Sequence, residues 1–151
     1  MRWLFVLLLT CLLAVEVQAT EGRVIKVLPQ FLDKKGKSTV SPSLYDRDAY
    51  QSYLLHHPKD CTGLRFAVQW KAKASGGGPL KLRVEIRGIA KGDLPKEDKI
   101  ELEVHQRHWF SHWAVVSLTG EQYKAFGSVT AWRTTLWDGN ELLSEQKSFL
   151  W

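Results

Sequence analysis

Two stretches of the chain alternate apolar and polar residues with a period of two, and this alternation constrains the fold more than any other feature. In residues 64–74 the alternating apolar positions are Leu64, Phe66, Val68, Trp70 and Ala72. In residues 80–87 they are Leu80, Leu82, Val84 and Ile86, with a charged residue after each one. Because side chains of a β-strand point alternately to opposite faces of the sheet, we predict two strands with one buried and one solvated face.

Five further segments are predicted to be strands. They cover residues 24–29, 99–106, 112–118, 128–137 and 141–150. The stretch Trp113–Leu118 is apolar and β-branched enough to predict a buried strand. Asp138-Gly139-Asn140 predicts a tight hairpin turn before the last strand. The outward residues of 80–88 are mainly basic and those of 99–106 mainly acidic, which favours pairing of these two strands.

One segment between the first two strands departs from this pattern. Residues 43–56 carry apolar side chains near helical spacing, and Pro58 follows as a stop signal. Ser43 and Asp46 resemble a capping box, with Asp in place of the usual Glu or Gln. We therefore predict a short helix here, and at most one further helical turn at residues 119–126.

Seven strands with short connections predict one antiparallel β-sandwich domain. The last four strands, with Tyr123 in the turn before the penultimate one, resemble the end of an immunoglobulin-like or fibronectin-type domain. This resemblance covers residues 60–151 and is one of pattern, because the chain lacks the cysteine pair of antibody-type domains. The predicted fold is all-β: a seven-stranded antiparallel immunoglobulin-like β-sandwich with one short helix between the first two strands.

The first 19 residues have the pattern of an export signal. Arg2 precedes an apolar run, Leu4–Val15, and Ala19 occupies a suitable cleavage position. The run is shorter than the roughly 20 residues that a helix needs to cross a bilayer. We predict cleavage after Ala19, a domain spanning 20–151 without a membrane span, and a secreted or periplasmic location. A retained signal anchor and lipid attachment at Cys11 are the alternatives.

The exported domain is predicted to be basic and to hold a single thiol. The chain has 21 Lys and Arg against 16 Asp and Glu, and loss of Arg2 and Glu16 leaves the net charge of +5 unchanged. This charge favours an anionic cell surface, lipid or polysaccharide as partner, and export argues against nucleic acid. Cys61 is expected to be half-buried and free, with pairing between two chains as the alternative.

Three histidines cluster between the fourth and fifth predicted strands, at positions 105, 108 and 112. His105, His108 and His112 have spacings that would align their rings on a helix, but the surrounding pattern predicts a strand, a turn and a strand. No Asp, Glu or Cys lies among them to complete a ligand set. They are weak candidates for a copper or zinc site, and a solvated loop is the simpler interpretation.

Six tryptophans follow the predicted cleavage site, which is a high count for a domain of this size. They are Trp70, Trp109, Trp113, Trp132, Trp137 and Trp151. Trp70 and Trp132 are predicted to be core residues. Trp109 and Phe110 lie in the predicted turn, where packing does not account for both rings. We therefore expect them to form an exposed binding anchor, with Arg107 and the histidines at its rim.

No local catalytic motif is present in the sequence. It contains no Gly-x-Ser-x-Gly, no His-Glu-x-x-His, no phosphate-binding loop and no dinucleotide fingerprint. The leading hypothesis is a secreted, non-catalytic interaction or accessory module without a cofactor, whose partner is a protein or an envelope polysaccharide. A carbohydrate-binding sandwich would require coplanar exposed tryptophans, and a metal-binding export protein would require converging histidine nitrogens.

Overall fold

The computed structural model describes residues 21–73, 78–105 and 110–151, and this part of the chain is mostly β. Its strands are β1 (Glu21–Asp33), β2 (Cys61–Lys73), β3 (Leu80–Ala90), β4 (Leu94–Val104), β5 (His112–Thr119), β6 (Ser128–Asp138) and β7 (Glu141–Lys147). Its helices are α1 (Leu44–His56) and α2 (Gly120–Phe126), with a 3-10 turn at Pro58–Asp60. The described residues thus hold two helices, whereas the predicted fold had one.

The seven strands form two antiparallel sheets. Sheet A has three strands in the order β1-β2-β5, and sheet B has four in the order β4-β3-β6-β7. The β3–β4 and β6–β7 connections join neighbours within sheet B, whereas the β2–β3, β4–β5 and β5–β6 connections pass from one sheet to the other. Strand β5 is consequently an edge of sheet A, and β4 is an edge of sheet B.

The core lies between the inner faces of the two sheets and follows the predicted alternation. Phe66 and Val68 are fully buried, and the exposed fraction of Trp70 is 2%. The four alternating apolar residues of β3 are fully buried as well: Leu80, Leu82, Val84 and Ile86. Trp132 packs against this core, with its ring centroid 6.4 Å from that of Phe66. The prediction of a core position is therefore confirmed for Trp70, whereas Trp132 is half-buried and packs against the core from its edge.

The predicted pairing of a basic strand with an acidic strand is also confirmed. Lys81 lies opposite Glu103, and Arg83 lies opposite Glu101, on the outer face of sheet B. Glu101 accepts a hydrogen bond from Arg83 Nε at 2.8 Å, and Lys81 Nζ lies 3.3 Å from its other oxygen. Opposite charges directly across a ladder stabilise the pairing of the two strands by a modest amount.

Several boundaries differ from the predicted ones for identifiable reasons. Strand β4 begins at Leu94 rather than at residue 99, because a tight turn with positive φ at Gly92 and Asp93 lets the hairpin continue. Strand β7 ends at Lys147 because the chain then turns, with Trp151 N–H donating to Ser148 O.

Helix α1 starts with half of the expected capping box. The Ser43 side chain accepts a hydrogen bond from the backbone N–H of Asp46 at 3.5 Å. The backbone N–H of Ser43 donates to Ser41 Oγ rather than to the Asp46 side chain. The aspartate is one methylene shorter than the usual glutamate, which accounts for the missing reciprocal bond.

The prediction that Trp113–Leu118 is buried throughout is wrong. Ala114, Val116 and Leu118 are buried, but Trp113 and Val115 have exposed fractions of 53% and 51%. The strand alternates between an inner and an outer face like the others. Two of its outward residues, Trp113 and Val115, are apolar as well, and they concealed the alternation in the sequence.

Candidate functional site

The segment that links β4 to β5 passes from sheet B to sheet A at one end of the sandwich. It carries the predicted anchor and histidine cluster. Arg107, His108 and Trp109 lie outside the described residues. Phe110 is described and has an exposed fraction of 75%, as expected for an anchor residue. The sequence alone thus located an exposed aromatic ring at this end of the molecule.

A cavity of about 340 Å³ lies beside this segment, between the edge strands β4 and β5. Its lining consists of Trp70, Leu102, Val104, His105, His112, Trp113 and Ala114. The structure thereby brings two of the three clustered histidines to one site. His112 is half-buried, with its ring centroid 5.7 Å from that of Trp70, whereas His105 is exposed.

This arrangement contains fewer metal donors than a protein metal site normally has. Among the residues that the structure describes, no three His, Cys, Asp or Glu side chains are grouped so that they could hold a metal ion. A zinc site typically takes at least three protein ligands. His105 and His112 provide two, and His108 belongs to the segment that is not described.

Trp113 is the functional candidate that the sequence analysis missed. It lies on the outer face of β5 opposite Gln69, whose side-chain amide donates to Ser111 Oγ at 3.0 Å. The cavity extends to the same ring. The available signal was a large aromatic residue on a strand that is apolar on both faces. Which of these faces is covered depends on how the strands are distributed between the sheets, and this is a property of the tertiary structure.

The outer face of sheet A around Trp113 is basic. In the strand register Arg23 lies opposite Lys71, Glu21 lies opposite Lys73, and Lys26 lies opposite Gln69. We call the exposed outward residues of this region the basic–aromatic face, which comprises Arg23, Lys26, Lys71, Lys73 and Trp113. None of its four cations forms an ion pair with another residue of the described ranges.

The outer face of sheet B has the opposite character, because its cations are paired. Ion pairs join Arg83 to Glu101, Arg87 to Glu97 and Arg133 to Glu85, with N–O distances of 2.8, 2.9 and 2.7 Å. The hydrogen bond that Arg133 Nε donates to the Glu85 carboxylate, together with the negative charge of that carboxylate, raises the pKa of Arg133. The charges of this face thus neutralise one another locally.

Two tryptophans of sheet B and its C-terminal turn are covered by arginines. The Arg83 guanidinium lies 5.1 Å from the ring centroid of Trp137. Arg87 and Arg133 lie 4.0 and 5.0 Å from the ring centroid of Trp151. These cation–π contacts occupy ring faces that a ligand would otherwise use. Trp113 is therefore the tryptophan of the described ranges with the largest exposed fraction.

The remaining titratable cluster holds helix α1 in place. The hydroxyl of Tyr50 donates to Asp33 at 2.8 Å, and that of Tyr53 donates to Asp60 at 2.8 Å. The hydrogen bond to Asp33 is the main reason why the pKa of Tyr50 is raised to about 12. Each bond joins the helix to a residue in or beside a strand, which gives these groups a structural role.

Cys61 is half-buried and free, as predicted. Its thiol donates to Leu54 O at 3.2 Å. Burial, followed by the charge of Asp60, raises the pKa of this thiol. Because the thiolate is the reactive form of cysteine, a raised pKa does not fit a catalytic nucleophile.

Comparison with known proteins yields no relative from which function could be transferred. No model of a protein family matches the chain, and no curated protein matches it. Within the three described ranges, no helix is both long and apolar enough to cross a membrane. The geometry of the two sheets and of their connecting segments is therefore the basis for a functional proposal.

Proposed function

We propose that residues 20–151 form a secreted or periplasmic, non-catalytic binding module with an immunoglobulin-like β-sandwich fold, preceded by a signal peptide at 1–19. Seven antiparallel strands in two sheets, with three connections that pass between the sheets, support this fold. The apolar run after Arg2 and the small residue Ala19 support export.

The observation that carries the binding function is the exposure of two large aromatic rings at one end of the sandwich. Phe110 lies just before β5, Trp113 lies within β5, and the cavity beside them is lined by Trp113, His105 and His112. Aromatic residues of this kind supply most of the energy at many interfaces because they bury a large area at low entropic cost. The binding site of the module accordingly includes Phe110 and Trp113, together with Arg107 and Trp109 of the same segment.

The chemistry of the cavity supports binding rather than catalysis. As far as the structure describes its lining, the cavity combines imidazole, indole and aliphatic side chains, without a carboxylate or hydroxyl group among these residues. General acid–base catalysis and covalent catalysis usually require such groups within hydrogen-bond reach of one another. A surface that recognises a partner requires only shape, apolar area and a few polar groups.

Photo-crosslinking in the cell of origin tests this function. A photoreactive phenylalanine analogue replaces Phe110 in one variant and Tyr45, an equally exposed aromatic at the start of α1, in the control. We expect a discrete crosslinked product from position 110 and none from position 45. Equal crosslinking at both positions, or none at position 110, would contradict the proposed site.

A second candidate, metal binding, rests on the placement of His105 and His112 at one cavity. If His108 joins them, Zn²⁺ or Cu²⁺ stabilises the folded protein by binding it preferentially. The metal would then raise the thermal midpoint of the wild type and not that of a variant with all three histidines replaced by alanine. An unchanged wild-type midpoint at saturating metal would eliminate this candidate.

A further inference from the structure

The cations of the two outer faces differ in how they are compensated. On sheet B, acidic residues of neighbouring strands pair with Arg83, Arg87 and Arg133. On sheet A, the neighbour across the ladder from Lys71 is another cation, Arg23. Like charges directly opposite one another destabilise a strand pair. The basic–aromatic face therefore carries a repulsion that an external anion would relieve.

The spacing of this face suits a repeating ligand. Outward side chains on one strand recur about every 6.7 Å, and neighbouring strands are about 4.8 Å apart. Lys73, Lys71 and Gln69 occupy three successive outward positions of β2, and Trp113 lies beside the third. The two lysines are thus about 6.7 Å apart along the strand, and the row of Gln69, Lys26 and the exposed indole ring lies roughly 13 Å from Lys73.

We propose that the basic–aromatic face binds an anionic polysaccharide. A sugar ring stacks on Trp113, while Arg23, Lys26, Lys71 and Lys73 contact carboxylate, sulfate or phosphate groups along the polymer. This inference rests on the proposed binding function and names the class of partner for the part of the site that includes Trp113. The shared chemistry is a negatively charged sugar polymer, whichever of the three anionic groups it carries.

The shape of the surface favours a polysaccharide over other polyanions. Trp113 and Val115 lie within the face of a sheet, whereas residues that insert into a membrane must reach below the headgroups. Among the residues that the structure describes, this face has one exposed indole and thus a single stacking platform, whereas proteins that bind single-stranded nucleic acid stack several successive bases on aromatic rings. The predicted export of the chain points the same way, since extracellular anions are largely glycans and lipids.

Direct binding measurements with defined polymers test the inference. The probes are heparin as a sulfated glycan, polygalacturonate as a carboxylated one, and neutral dextran as the uncharged control. We expect the wild type to bind at least one anionic probe with an affinity that falls as the salt concentration increases, and not to bind dextran. Trp113→Ala is expected to weaken this binding about tenfold, which is the loss of one good aromatic contact.

A pair of charge-matched double variants separates site-specific binding from general attraction. Lys71→Gln with Lys73→Gln removes two cations from the face, and Lys59→Gln with Lys91→Gln removes two exposed cations elsewhere. We expect the first double variant to weaken binding about tenfold or more and the second to leave it within about twofold. Thermal midpoints of both variants should match the wild type, because all four side chains are exposed.

Each of the other outcomes overturns the proposal. Equal losses in the two double variants would show attraction by net charge alone. If the affinity falls in the Lys71→Gln, Lys73→Gln variant but not in Trp113→Ala, no sugar ring stacks on Trp113. Equal affinity for anionic vesicles or single-stranded DNA would reassign the face to those polyanions. If neither glycan binds while position 110 still crosslinks, the polysaccharide inference fails and the proposed binding function stands.

Discussion

At the scale of single residues, neighbouring positions of one strand serve different purposes, because their side chains point to opposite faces of the sheet. Trp70 points into the core, and the next residue, Lys71, points outward beside Arg23. The two side chains are separated by one peptide unit, yet they contact different surroundings. Replacement of either one should therefore affect a different property of the protein.

Trp70→Ala should destabilise the fold strongly, whereas Lys71→Ala should not. Removal of a buried indole ring costs about 3–5 kcal/mol in the free energy of unfolding, through lost burial and the cavity left behind. Truncation of an exposed lysine changes it by less than about 0.5 kcal/mol. Urea unfolding measures both values, and similar losses in the two variants would contradict the strand assignment.

Tyr50 should make the stability of the protein depend on alkaline pH. The pKa of Tyr50 in the folded state is raised to about 12 from 10.0, mainly because its hydroxyl donates to Asp33. The folded state therefore favours the neutral phenol. Its stabilising contribution is complete below pH 10 and is lost as the pH rises to about 12.

An absorbance titration of the phenols measures this shift. The wild type should show one phenol that titrates near pH 12, and Tyr50→Phe should lack it. Tyr45→Phe is the control, because Tyr45 is highly exposed. If the phenol that Tyr50→Phe removes from the curve titrates near pH 10 instead, the hydrogen bond to Asp33 does not form in solution.

At the scale of elements, the close approach of β3 to the start of β6 depends on two glycines. A Cβ atom on Gly88 would overlap the carbonyl oxygen of Ser128, and one on Gly127 would overlap that of Ile89. Gly127 also has a φ of 86°, a conformation that side chains disfavour. The register of β3 against β6 shifts between Arg87 and Gly88, at the same place. The glycines thus permit the local irregularity that joins α2 to sheet B.

Gly127→Ala should cost more stability than Gly92→Ala, although both residues have positive φ. Gly92 has a φ of 82° and no atom near the position of an added Cβ, so its replacement costs only about 1–2 kcal/mol of backbone strain. Gly127→Ala adds a steric clash with the β3 backbone, which typically costs a further 1–3 kcal/mol or so. Chemical denaturation of both variants gives the comparison, and equal losses would exclude the clash.

At the scale of the whole molecule, the charge is distributed unevenly over the two outer faces. Sheet B carries cation–anion pairs, whereas the cations of the basic–aromatic face on sheet A form no ion pair with other described residues. These four exposed cations create a local positive field on one side of the domain. Such a field attracts polyanions over about a Debye length, roughly 8 Å at physiological salt.

Export of this molecule can be tested on the protein itself. Mass spectrometry of the protein recovered outside the cytoplasm should find Thr20 at the N-terminus and Cys61 as its single thiol. The physical reason is that the run Leu4–Val15 is long enough for a signal peptide and too short for a stable span. Recovery of Met1, or of a lipid on Cys11, would contradict the prediction.

The sequence was sufficient to predict the buried positions of the strands whose outer faces are polar. Strands β2 and β3 alternate so regularly that the buried positions of Phe66 and Leu82 followed from the pattern alone. The charged outward residues of β3 and β4 even predicted their pairing, because the charges of the two strands are complementary. The sequence also located the exposed Phe110, since a turn residue has no core position to occupy.

The sequence by itself determined the number of strands and the inward faces of the strands whose outward residues are polar, because alternation is a local property. Only the tertiary structure decided which strands share a sheet and which outer face stays open. Trp113 is exposed because it points to the outer face of sheet A, and Lys71 meets another cation because the register places Arg23 opposite it. The second fact depends on residues far apart in the chain, which come together only when β1 and β2 pair in that register.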